Sequence, residues 1–220
     1  MSRTPRRIGL GLVALLGLAP AAGRADEQPD WTSSFAAIRR AAAEVDSVRA
    51  RFTQHKHLPI LARPLVSEGR FIFRAPGSIR WEYLRPVRSV LLLDDGELAR
   101  HVWRDGRWVA DAAARVETMR VVVSEIQGWL TGQFERSRTF SARLLPGRPA
   151  RVELTPADAA LGELIQRIVL TLDERPGVLS QIEIVEGPEA RTVLRFEQAE
   201  LDVAIDPQSF SAPVGAPGQN

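Results

Sequence analysis

At least nine short runs of this chain alternate apolar and polar residues, and connectors of hairpin length join them. A period of two puts one face of each run on a core and the other in solvent, so the pattern points to an antiparallel sheet. Val48, Ala50 and Phe52 alternate with Arg49, Arg51 and Thr53, and His55-Lys56-His57 continue the run. Leu65–Arg74 places Phe71 and Phe73 on one face, and Ile79–Leu84 places Ile79, Trp81 and Tyr83 on one face. Ser89–Leu93 is apolar on both faces, Leu98–Trp103 follows, and Asp105-Gly106 makes a tight hairpin turn before Arg107–Val109. Further strands are expected over Phe134–Leu145, Ala150–Thr155, Gln166–Asp173, Val178–Val185 and Arg191–Val203. Their connectors carry turn residues, among them Pro146-Gly147 and Arg175-Pro176-Gly177.

Two segments change to helical spacing. Trp31, Phe35, Ile38, Ala42 and Val45 form one stripe behind Asp30, a residue able to cap a helix. Val116, Met119, Val123, Ile126 and Leu130 form a second stripe that ends near Gly132. A doubly wound fold would need a helix after nearly every strand, and those are missing. So many strands should curl toward a barrel, with the helices burying their stripes on its inner face.

The first 25 residues read differently. Met1–Arg7 holds three arginines and no acid, Ile8–Ala22 is apolar, and Gly23 and Ala25 occupy the small-residue positions of a cleavage site. This is the pattern of a secretory signal peptide removed after Ala25, and the apolar run is short of the ~20 residues that span a bilayer. Arg6-Arg7 leaves the export route open between the general and twin-arginine pathways. Residues 26–220 then form a single domain. Removing 1–25 takes away four of 29 basic residues and no acid, leaving 25 basic against 27 acidic residues, a net charge of −2. The basic sequence pI of about 9.8 therefore belongs to the leader, and nucleic acid is not expected as a partner.

The absence of cysteine excludes a disulfide scaffold, a cysteine nucleophile and a lipid on the chain's own N-terminal cysteine. No nucleophile elbow, phosphate-binding glycine loop or H-E-x-x-H motif is present. His55 and His57 share one strand face and offer two metal ligands at most; an exposed or partner-facing edge is the reading preferred over a metal site. No enzyme chemistry, metal or cofactor is expected. Arg74, Arg80, Arg85 and Arg88 read either as solvated strand faces or as a basic rim. Phe71, Phe73, Ile79, Trp81, Tyr83 and Val90–Leu93 fall within 23 positions. They fit either an ordinary core or a concave pocket for a lipid.

The segment from Glu68 to Pro86, EGRFIFRAPGSIRWEYLRP, resembles the LolA family of periplasmic lipoprotein carriers. In that family a strand ending in a proline turn leads to a strand with Trp, a second Pro, an aliphatic strand and an Asp-Gly turn. Here those elements are Pro76, Trp81, Pro86, Val90–Leu93 and Asp95-Gly96. Phe52-Thr53-Gln54 is similar to the family's first strand, and Asp206–Pro213 with Phe210 to its closing segment. The resemblance implies an incomplete antiparallel β-barrel with two or three helices as a lid over a hydrophobic cavity. It implies an acylated lipoprotein or lipid cargo, taken from an inner-membrane LolCDE-type transporter and passed to a LolB-type outer-membrane receptor by a periplasmic monomer.

The cavity is then expected to use Phe71, Phe73, Ile79, Trp81, Tyr83, Leu91 and Leu93, with Phe35, Ile38 and Met119 on the lid. Family members carry an arginine just before the turn proline, whereas here Ala75 stands there and Arg74 one position earlier. Alternation sends Arg74 outward with Arg70 and Ile72; a bulge at the turn would instead swing it to the rim as a gate. A carrier of another envelope lipid, and a lipid-sensing regulatory protein of the same fold, remain the alternatives.

Overall fold

The computed structural model describes residues 32–215. Eleven strands form one antiparallel sheet. Six follow one another as hairpins: β1 (Ser47–His57), β2 (Leu65–Arg74), β3 (Ser78–Arg85), β4 (Ser89–Asp94), β5 (Glu97–Arg104) and β6 (Arg107–Ala110). Five more return from the far side: β7 (Phe140–Leu145), β8 (Arg151–Pro156), β9 (Arg167–Leu172), β10 (Leu179–Val185) and β11 (Arg191–Leu201). β11 docks on the free side of β1, with Phe52 opposite Phe196. The spatial order is β6-β5-β4-β3-β2-β1-β11-β10-β9-β8-β7, so β6 and β7 are the two edges and the barrel stays open between them.

Helix α2 (Ala113–Leu130) connects the two edges. It ends at Gly132, whose φ of +66° is a conformation glycine adopts without penalty. Helix α1 (Phe35–Ala43) precedes β1, and the six-residue α3 (Ala159–Leu164) joins β8 to β9. Both longer helices lie at one end of the barrel. Gln127 Nε2 donates to the Gly77 carbonyl at 3.0 Å, Arg120 Nη1 donates to the Gly96 carbonyl at 3.3 Å, and the Gly177 backbone lies against Ala41 and Ala42. The opposite end carries the β1–β2 loop, the β3–β4 and β10–β11 turns and α3.

Alternation decides what the sheet buries. The concave face packs Phe52, Phe71, Phe73, Ile79, Trp81 and Leu93 with Val152, Leu154, Ile168, Leu170 and Leu194 from the second half. Gly69 is required there, since a Cβ on it would come within 2.3 Å of the Phe52 ring and 2.2 Å of the Glu82 carbonyl. The two-faced apolar run of β4 is explained by a second cluster: Val90, Leu92 and Trp108 pack with Trp103 and Ala212, on the face opposite Leu91 and Leu93.

Three expectations need correction. Phe134–Leu145 is not one strand: Phe134–Arg136 is a 3-10 turn, and the strand begins at Phe140. Phe134 is buried and packs on the Phe35 ring at 5.9 Å, and Ser137 Oγ accepts from the Thr139 and Phe140 N–H groups, setting the strand's start. The first helix starts at Phe35 behind Ser34, whose Oγ accepts from the Ala37 N–H; Asp30 and Trp31 lie outside the described residues. β11 stops at Leu201 because Asp202 has φ +53°, and its carboxylate turns back to accept from the Asp46 N–H.

Candidate functional site

Between the concave sheet and α2 lies an apolar cavity of about 330 Å³. That is over twice the ~150 Å³ at which an apolar protein cavity stays dry and takes up benzene. The sheet supplies Trp81, Tyr83, Leu91, Ile168, Ile182, Ile184 and Leu194; α2 supplies Met119, Val123, Ile126 and Trp129; Leu161 and Ile165 come from α3 and the residue after it. A second, small cavity of about 30 Å³ lies toward α1, lined by Val48, Ala50, Phe71, Phe73, Leu130 and Phe196 among others. Trp81, Ile126, Trp129 and Ile182 line both cavities and so form the wall between them.

Most polar groups of the larger cavity lie toward the barrel end opposite α1, while Glu125 lines it from α2 and Arg100 from the middle of β5. Gln54, Tyr83, Ser89 and Thr192 lie near the ends of their strands, next to the β1–β2, β3–β4 and β10–β11 connections. The Tyr83 hydroxyl donates to Gln54 Oε1 at 2.8 Å, and burial raises its pKa above the ordinary value. Arg100 is the one cation among the described lining residues. It is held by Asp111, which also accepts from Arg115 Nη1 at 2.8 Å. Burial alone would raise the Asp111 carboxyl, but bonds from Arg100 and the Ala112 N–H, with the charges of Arg115 and Arg100, hold it below the ordinary carboxylate value. The indole N–H of Trp129 is buried without a hydrogen-bond partner among the described residues.

Of the residues singled out in the sequence, Trp81, Tyr83, Leu91 and Met119 line the larger cavity and Phe71, Phe73 and Trp81 the smaller. Ile79 and Leu93 are buried in the adjoining core and line neither. Ile38 is fully buried on the inner side of α1, and Phe35 packs on Phe134; neither reaches a cavity. Arg74 lies on the opposite face. Its guanidinium bonds Ser78 Oγ and Asp94 Oδ1 and stacks 4.6 Å over the Phe210 ring. The lid bond at the same turn comes from Gln127 instead.

Trp129, Leu161, Ile165, Ile182, Ile184, Leu194 and Arg100 are not among the sequence-derived candidates, and Ile126 is named there only as part of the helical stripe. For the α2 pair the helical stripe was the available signal, and for β10 and β11 the alternation. α3 left no readable period in six residues. His55 and His57 sit on the face of β1 opposite Phe52, and no group of three or more His, Asp or Glu able to hold a metal gathers among the described residues.

The family described as outer membrane lipoprotein carrier protein LolA matches residues 43–213. An outer-membrane lipoprotein carrier protein of Alkalilimnicola ehrlichii is 28% identical over 219 residues, covering 96% of this chain and 94% of that protein. The protein of the same name in Methylibium petroleiphilum is 27% identical over 220 residues, covering 96% and 97%. Among solved structures, a LolA superfamily protein of Nitrosomonas europaea matches with a TM-score of 0.40 and 12% identity, over 81% of this chain and 98% of that one. The Pseudomonas aeruginosa MucA/MucB complex matches with a TM-score of 0.44 and 17% identity over 84% of this chain, which spans 61% of its counterpart there.

Proposed function

The chain belongs to the LolA family, and from that premise we propose that it is a periplasmic carrier of lipoproteins. It shields their acyl chains in the cavity between sheet and α2 and moves them from the inner to the outer membrane. The observation that carries this reading is the cavity of about 330 Å³, walled by aliphatic and aromatic side chains from both halves of the sheet. Residues 1–25 are the export signal, and residues 26–220 work as one domain. A LolCDE-type transporter supplies the cargo and a LolB-type receptor accepts it.

The energetics fit a cavity with a movable wall. Each buried methylene is worth roughly 0.8 kcal/mol, so a chain of about sixteen carbons is held in a bilayer by roughly 13 kcal/mol. A carrier must replace most of that surface and then release it. The sheet is continuous and stiff, whereas α2 spans the open seam and its last turns are fixed to the β2–β3 turn by one side-chain hydrogen bond, from Gln127. Displacing α2 removes the wall Trp129 and Ile126 form between the two cavities and joins them into one longer channel.

Mass spectrometry of lipid extracted from protein purified out of the native envelope tests this. Bound acylated peptide, or stoichiometric uptake of a triacylated peptide by empty protein, is the expected result. Empty protein that takes up no acylated peptide overturns it.

A further inference from the structure

The β1–β2 loop departs from the turn chemistry used elsewhere in the chain. Other connections turn on Asp94-Asp95-Gly96, Asp105-Gly106, Pro146-Gly147 and Arg175-Pro176-Gly177, residues suited to turns and to water. Here the turn is Leu58-Pro59-Ile60-Leu61, closed by the Leu61 N–H donating to the Leu58 carbonyl at 3.0 Å. Ile60 stands at its tip, 88% exposed, and Leu61, Leu65 and Val66 around it are exposed as well. Four aliphatic side chains within seven residues keep 39% to 88% of their surface in water; a patch of this kind marks a contact surface.

Two further features say what the contact is. Residues 54–67 hold no Asp or Glu; Lys56 is paired with Glu186 at 3.2 Å, and Arg63 on the loop itself gives the tip the positive charge that favours an anionic surface. They also hold no Trp or Tyr, the anchors on which protein interfaces depend, whereas leucine is under-represented there. Aliphatic residues beside a cation suit lipid. The same end of the barrel carries exposed Val87 and Leu164 and the polar end of the large cavity.

We propose that this hairpin is a membrane-docking tip: Ile60, Leu61, Leu65 and Val66 enter the interface of an anionic bilayer and set the cavity's end toward it. The inference rests on the exposed tip and not on the carrier reading, because vesicle binding by cargo-free protein is read separately from acyl uptake.

The test is flotation of the exported protein with vesicles of phosphatidylcholine alone or mixed equally with phosphatidylglycerol. Wild type should float with the mixed vesicles, more weakly with the neutral ones, and less as salt rises. The double variant Ile60→Ser, Leu61→Ser should lose binding by about tenfold or more with an unchanged circular dichroism spectrum; Ile60→Leu should keep it. Arg63→Gln should lower binding to the mixed vesicles alone. Equal flotation of wild type and the double serine variant overturns the proposal, and so does wild type that stays unbound to both vesicle types, including the case where the tip is instead protected by a protein partner.

Discussion

Arg74 shows how far a single residue can be placed. Alternation from Phe71 and Phe73 sends it to the outer face, and it is found there, between Ser78, Asp94 and the Phe210 ring. Its partners were not readable, because Phe210 comes from a segment 136 positions away that covers β3 and β4. A partly exposed ion pair and a stacking contact are each worth under about 1 kcal/mol. Arg74→Ala should therefore lower unfolding stability by about 1 kcal/mol in urea titration and leave acyl uptake and release unchanged. Gly69→Ala is the opposite case: the new methyl meets backbone on one side and the Phe52 ring on the other, so a loss of about 3 kcal/mol is expected. His101 adds a pH dependence. It is buried on the outer face beside Val90, and burial lowers its pKa below 6.5. The fold thus favours the neutral ring; that stabilisation is complete above pH 6.5 and is lost as pH falls through the lowered folded value. The urea midpoint of wild type should drop on acidification below about pH 6.5, and that of His101→Phe should drop less.

At the level of elements, the strands were legible because a two-residue period survives in short segments, and ten of the eleven appear within a residue or two of the expected bounds. The eleventh was overrun at Phe134, where apolar residues serve a 3-10 turn under α1 and carry no period of their own. α2 was legible as a helix from its stripe. Which residues of the stripe meet the cavity was not, since that depends on how the helix crosses the seam between β6 and β7. Its attachment is measurable. Gln127→Ala deletes the bond to Gly77, a neutral hydrogen bond worth about 0.5–1.5 kcal/mol. Hydrogen exchange in the last turns of α2 should accelerate roughly two- to twelvefold, with the sheet's protection unchanged. Equal acceleration across sheet and helix would mean that α2 does not move as a separate element.

For the whole molecule, the question of core or pocket that the aromatic cluster left open turns on volume, which no sequence pattern encodes. Phe71, Ile79, Trp81 and Leu91 all read as inward-facing, yet only the assembled sheet and α2 show which of them meet packed neighbours and which meet space. A core has no room for added atoms, and enlarging a residue there costs about 1–3 kcal/mol. A cavity of about 330 Å³ has room. Leu91 is the place to add volume, because it lines that cavity from the middle of β4 and borders Trp81 across the sheet. Leu91→Trp should fill apolar space with apolar surface, so its melting temperature should equal or exceed that of the wild type. It should also remove the room an acyl chain needs. Ligand linkage supplies the second readout: a triacylated peptide at about a hundred times its Kd should stabilise wild type by about 2.7 kcal/mol, and the variant by much less. A variant melting several degrees lower would show that Leu91 is packed core. A variant as stable as wild type and stabilised equally by the peptide would show that the acyl chains bind somewhere other than this cavity.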